Sequence, residues 1–234
     1  MTMPTLSRWD NERQILSKVC HDLAKSDLVI GLNGNASMRL RYQTGDLALI
    51  TPMGRSLEEL SPAELVVIDL HGESVEEDLP PSSEAALHLM TYRRRPDVAG
   101  IVHTHPIFSS VAAVVNEEIP PIIDEVVIKI GGAVKVAEYA FPGTEELADN
   151  ACDALADRMA VLLRHHGLLT VGTSITEALE NSLLVERLAQ IFLYTSLLKK
   201  AISLPEEVIK IEEGLYQMRR SAGKLSGEFN DINS

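Results

Sequence analysis

The chain has 234 residues, 45% of them apolar, and a formal net charge of −13, long enough to bury roughly 70% of its unfolded surface around one core. That negative balance excludes non-specific binding to a phosphate backbone, which needs clustered Lys and Arg. No stretch approaches the roughly 18 uninterrupted apolar residues of a membrane span.

The opening MTMPTLSRWDNERQ has no basic segment followed by an apolar one, so the reading is a cytoplasmic protein with neither a membrane nor nucleic acid as partner. No linker, charge block or repeat divides the sequence, and one domain is expected over 1–234, with a core at about 10–200 and a C-terminal helix and tail over 201–234. Cys20 and Cys152 have no CxxC spacing and read as small core hydrophobes in a reducing compartment.

Residues 11–25 carry Ile15, Val19 and Leu23 at helical spacing. GLNGNASMRLRY reads as a turn and then a strand; DLALIT and ELVVIDL read as strands, with a helical turn in SLEELSPAE between them. PSSEAALHLMTYRRRP predicts a helix with Ser82 or Ser83 as N-cap and Pro96 as its stop. Its RRR at 93–95 suits the negative end of that helix. GIVHTH predicts a strand, PIFSSVAAVV a short helix, AVKVAEYA a strand and TEELADNACDALAD a helix capped by Thr144. AVLLRHHG and LLTVG predict two more strands. The stretch Ile175 to Lys200 is the strongest helix, apolar around much of its circumference and so buried or subunit-facing. A last helix is expected from Glu206 to Arg220, and the polar KLSGEFNDINS beyond it is expected to be loose.

On a strand, positions i and i+2 face the same way, so His103 and His105 project together and Thr104 away. The pair reads either as two separately hydrogen-bonded histidines or as half of a metal site. A second pair, His165 and His166, ends another strand before Gly167, expected to permit a tight turn. Strand geometry lets only one of that pair face the first two, giving three imidazoles and leaving an open fourth position, as in a catalytic zinc site. Glu84, Ser82 and Ser83 at a helix start read as simple capping or as a carboxylate beside an anion site. The turns GLNGNAS and ITPMGRS match neither phosphate-loop nor dinucleotide patterns.

In this order, GNAS, ITPMG, PSSEAALH, HTH and HHG before a long helix, the chain resembles the class II aldolase/adducin family over roughly residues 10–200. The resemblance implies a three-layer α/β/α fold around a mixed, largely antiparallel sheet, and a homotetramer. It implies zinc, with Mn²⁺, Co²⁺ or Fe²⁺ as alternatives for imidazole ligands, held by His103, His105, His166 and Glu84. Glu84 would also act as acid/base, and Gly34, Asn35, Gly54, Ser82 and Ser83 would bind the substrate phosphate. Two departures stand out: Met53 occupies a position that is often Thr, and Asp124 and Glu125 lie where a related enzyme carries a protonating Tyr. Tyr216 is a candidate pocket residue or a surface aromatic.

Because Glu follows the two serines, the resemblance implies an aldehyde-lyase that reversibly cleaves a ketose 1-phosphate, such as L-fuculose 1-phosphate, to dihydroxyacetone phosphate and an aldehyde. The alternatives are a sugar-phosphate dehydratase, 4-epimerase or decarboxylase, or a non-enzymatic adducin-like module.

Overall fold

The computed structural model describes residues 8–42, 45–76, 79–115 and 117–230, with side chains to Ser221. Among these residues, seven strands form one sheet in the order β3-β2-β1-β4-β7-β6-β5. They are β1 (Asn35–Leu40), β2 (Leu47–Ile50), β3 (Val66–Asp69), β4 (Gly100–Thr104), β5 (Lys135–Ala137), β6 (Ala160–Leu163) and β7 (Gly167–Gly172). Every pairing is antiparallel except β5 with β6. The mixed, largely antiparallel α/β fold expected above is therefore the one found.

Alternate side chains of the central strands divide between two cores, as the two-residue period of a strand requires. Ala36, Leu40, Leu49, Val67 and Val102 face α1 (Asp10–Lys25) through Leu16, Val19 and Leu23. Ile50, Val66, Ile68 and Ile101 face the other way, toward Leu87 and Tyr92 of α2 (Ala85–Arg94) and Leu147, Ala151 and Leu155 of α5 (Glu145–Leu155). Thr144 caps α5 by accepting from Leu147 N. α3 (Ile107–Val115) and α6 (Ile175–Leu197) pack together over β7. Polar atoms under α6 are paired: Thr170 Oγ1 donates to Ala178 O at 2.8 Å and lies 2.6 Å from Ser182 Oγ. No helix of the described residues is long and apolar enough to cross a membrane.

Four local expectations change. The N-cap of α2 is Glu84, with no side-chain capping bond, so neither serine caps the helix. The strand in AVLLRHHG stops at Leu163, and Arg164–His166 form the turn of a hairpin. An unforeseen helix, α4 (Asp124–Ile130), buries Val126, Val127 and Ile130 and ends on Gly131 at φ 94°, a left-handed cap that glycine adopts without strain. α7 runs from Glu206 to Asn230, continuing past Arg220 through most of the segment expected to be loose. It is pinned near its middle by Arg220, which donates to Asp97, and by Tyr216, whose hydroxyl donates to Asp157 O.

Candidate metal and substrate site

β4 ends beneath the hairpin of β6 and β7, and this junction gathers the histidines. The ring of His103 is fully buried, and its Nδ1 lies 3.0 Å from Leu168 O. A carbonyl only accepts, so Nδ1 carries the proton and Nε2 presents its lone pair. His105, one residue past β4, is anchored by its backbone N–H on Leu28 O. His166 closes the hairpin turn, donating its N–H to Leu163 O. His165 takes the strained position of that turn, at φ 55°, and is exposed. Gly167 has another function than the one expected of it. It is not left-handed, and a Cβ there would sit 2.4 Å from Thr104 O and 3.0 Å from the His105 ring. Its missing side chain lets the hairpin close on the end of β4.

The rings of His103, His105 and His166 stand 4.7–4.9 Å apart, centroid to centroid. Glu84 completes the group: Oε2 is 3.0 Å from His103 Nε2, Oε1 is 3.3 Å from His166 Nε2, and one ligand atom from each of the four residues lies within 4.8 Å of the others. His103 Nε2 and His105 Nε2 approach to 2.8 Å. Tetrahedral ligands about 2.0–2.1 Å from a metal stand roughly 3.3–3.4 Å from one another, so small shifts, outward for the close pairs and inward for the distant ones, convert this cluster into a coordination shell. Glu84 Oε1 is buried and makes no hydrogen bond, as expected of an oxygen whose partner is a cation. The donor set therefore fits a divalent metal.

Electrostatics agree. Burial, and then the neighbouring imidazoles, push His105 and His166 down to about 4, which keeps both neutral and able to ligate at neutral pH. Burial alone would raise the Glu84 carboxyl, but His103, His166 and the Asn35 amide outweigh it and hold the group well below the usual carboxylate range.

A cleft of about 230 Å³ opens above the cluster, and Gly34, Asn35, Gly54, Ser82 and Ser83 all line it with Glu84, His105 and His166. Its walls are stitched together by backbone bonds, Met53 N to Pro80 O and Ser82 N to Thr51 O. All the sequence-predicted site positions thus line one cavity except His103, which lies buried beneath it. Asn35, though, spends its side-chain amide on Glu84 at 2.9 Å. Arg55 also lines the cleft and brings the cation that sequence reasoning missed, its guanidinium 3.2 Å from Glu64. Asp124 and Glu125 begin α4, where Glu125 pairs with Arg187. Tyr216 does not line this cleft, nor is it a surface aromatic: it is 2% exposed and packed over Gly131.

Residues 14–193 match the family described as Class II Aldolase and Adducin N-terminal domain. The chain belongs to that family. Among class II aldolases, L-fuculose phosphate aldolase of Escherichia coli strain K12 is 37% identical over 201 residues, covering 86% of this chain and 89% of that one. The 5-deoxy-D-ribulose 1-phosphate aldolase of Bacillus thuringiensis is 34% identical over 196 residues, covering 84% and 91%. A solved L-fuculose 1-phosphate aldolase superposes with a TM-score of 0.83 at 33% identity, covering 93% of this chain and 98% of that one. The protein is accordingly a class II aldolase, an enzyme of the aldehyde-lyase kind.

Proposed function

We propose that this class II aldolase reversibly cleaves a ketose 1-phosphate, of the L-fuculose 1-phosphate type, to dihydroxyacetone phosphate and an aldehyde, with zinc held by His103, His105, His166 and Glu84. The observation that carries the reading is the convergence of three imidazoles and a carboxylate at the floor of a cleft, in a chain whose relatives bear the names of ketose 1-phosphate aldolases. An adducin-like module has no use for such a cluster.

A bound divalent metal supplies a Lewis acid for the substrate's carbonyl oxygen. The chain's own residues do the rest. Gly34, Gly54, Ser82 and Ser83 hold the phosphate at the rim, and Arg55 offsets part of the protein's negative field there. Glu84 has Oε2 tied down by Asn35, while Oε1 makes no hydrogen bond and lies 3.3 Å from His166 Nε2, where it would hold the metal before substrate binds and turn to the substrate once that is bound. Oε1 is thus the atom that takes a proton from the substrate and returns it to the carbon beside the carbonyl. In the cell the protein works as a cytoplasmic homotetramer; buried, unpaired Cys20 and Cys152 suit a reducing compartment.

The test is a screen of ketose 1-phosphates for dihydroxyacetone phosphate release, with metal content measured on the same sample. Activity lost on chelation and restored by zinc is expected. Ser83→Ala should raise KM for the phosphorylated substrate, and the unphosphorylated ketose should react far more slowly; equal turnover of the two would remove the phosphate site.

A further inference from the structure

Behind the Glu84 carboxylate lies a row of polar side chains that the aldolase reading does not use. Glu84, His88 and Tyr92 recur every fourth residue along one face of α2, and Asn35, Ser37 and Arg39 every second residue along one face of β1. The two rows interlock. Asn35 Nδ2 donates to Glu84 Oε2 at 2.9 Å, and Asn35 Oδ1 is 2.6 Å from His88 Nε2. His88 Nδ1 is 2.7 Å from Ser37 Oγ, which is 2.8 Å from Tyr92 Oη. The Arg39 guanidinium closes the row, 4.7 Å from the centre of the Tyr92 ring. His88 and Ser37 have no exposed surface and Tyr92 only 1%.

Donor and acceptor chemistry gives this row a single direction. An ionised carboxylate only accepts, so the Asn35 NH₂ must face Glu84 and its carbonyl must face His88. The carbonyl only accepts, so His88 carries its proton on Nε2. Burial, and then the nearby His103, push His88 down to about 3, so the ring is neutral and Nδ1 is an acceptor. Ser37 therefore donates to His88 and accepts from Tyr92. Every proton in the row points toward Glu84, and aligned hydrogen bonds in a dry interior polarise one another.

We propose that His88 is a positioning residue: backed by Ser37 and Tyr92, it locks the Asn35 amide in the orientation that holds Glu84 Oε2 and leaves Oε1 free. Without a donor at position 88 the Asn35 carbonyl is left buried and unpaired, and the side chain can relieve that only by turning away from its place between His88 and Glu84. Glu84 Oε2 would then lose its fixed donor, and the carboxylate would swing out of place. The orientation stands on the hydrogen-bond row alone; its consequence for turnover rests on the reading of Glu84 as the proton carrier.

The test compares His88→Leu, which has no donor, with His88→Gln, whose side-chain NH₂ can still reach Asn35. ¹⁵N spectra of the full-length protein, with the His88 signals identified by their loss in the variants, should show Nε2 protonated and Nδ1 not. The Asn35 side-chain amide signals should move in His88→Leu and stay near their wild-type positions in His88→Gln. At saturating zinc, His88→Leu should lose about 10–100-fold in kcat, the scale of groups that orient metal ligands, with KM nearly unchanged, and His88→Gln should recover most of it. A protonated Nδ1, or an Asn35 amide indifferent to His88→Leu, overturns the proposal. So does an equal loss of kcat in both variants when both keep wild-type thermal stability and zinc content, because that is a burial effect and not a donor effect. If the wild type turns over no ketose phosphate, the aldol reading fails while the spectra still decide the orientation.

Discussion

His165 and His166 are chemically identical neighbours with opposite fates. The turn after β6 places His166 at the cluster and leaves His165 exposed in a left-handed conformation, so the two should respond differently to loss. His166→Ala, like His103→Ala and His105→Ala, is expected to lose bound metal, and His165→Ala to keep it; metal analysis of the purified variants reads this directly. If metal followed His165 instead, the ligand assignment would be wrong. Glu84→Gln keeps the side chain's shape and its acceptor for Asn35 but removes the proton carrier. It should retain zinc and lose about 10²–10⁴-fold in kcat, the range of positioned proton transfer. Exchange of a C–H proton of dihydroxyacetone phosphate with deuterium, in the absence of aldehyde, should slow in parallel.

The β6–β7 hairpin and α7 show how whole elements depend on single contacts. Gly167 allows the hairpin to lie against the carbonyl of Thr104, a backbone atom that cannot step aside. Gly167→Ala should cost about 1–3 kcal/mol of overpacking and separate His166 from His105, so melting temperature and zinc content should fall together. α7 is held by Arg220 on Asp97, which also pairs with Arg95 at 2.9 Å, and the Asp97 side chain is only 10% exposed. Asp97→Asn should cost about 3 kcal/mol, the low end for breaking a buried pair. Burial works to raise the Asp97 carboxyl, but the two guanidiniums outweigh it and hold it well below its usual 3.8. The unfolded chain thus binds the proton first. The stabilisation is complete above about 3.8 and is lost as pH falls through the lowered value. Denaturant unfolding of wild type and variant should differ at neutral pH and converge in acid.

Across the whole molecule, the largest unexplained feature is apolar surface. Ile107, Val111, Val114 and Val115 form an exposed stripe on α3, and Leu183, Tyr194 and Leu197 one on α6. Phe108 and Tyr194 meet edge to face, with ring centroids 5.9 Å apart, and join the two helices. An apolar surface of this kind marks an interaction site, and the homotetramer proposed above is the partner that suits it. Light scattering behind size exclusion should return four chain masses for the wild type. Val111→Asp should return a smaller species with unchanged helical content; a wild-type monomer would remove the tetramer.

Much of this protein is legible in its sequence because the relevant signals are local. Strand alternation, helical spacing and the Thr144 cap mark most elements, and the paired histidines announce a metal chemistry before any fold is known. Three things were not legible. Spacing alone left open which of the adjacent histidines faces the cluster; the resemblance pointed to His166, and the hairpin turn, set by how closely Gly167 lets two strands approach, is what brings it there. α4 was hidden because IIDEVVIKI is apolar enough for either a strand or a helix, and the left-handed Gly131 and packing against α7 chose the helix. His88, Ser37 and Tyr92 looked like ordinary members of their helix and strand. Only the register of β1 beneath α2 aligned their donors and acceptors into one row, because hydrogen-bond direction belongs to pairs of groups that the chain brings together from about 50 residues apart.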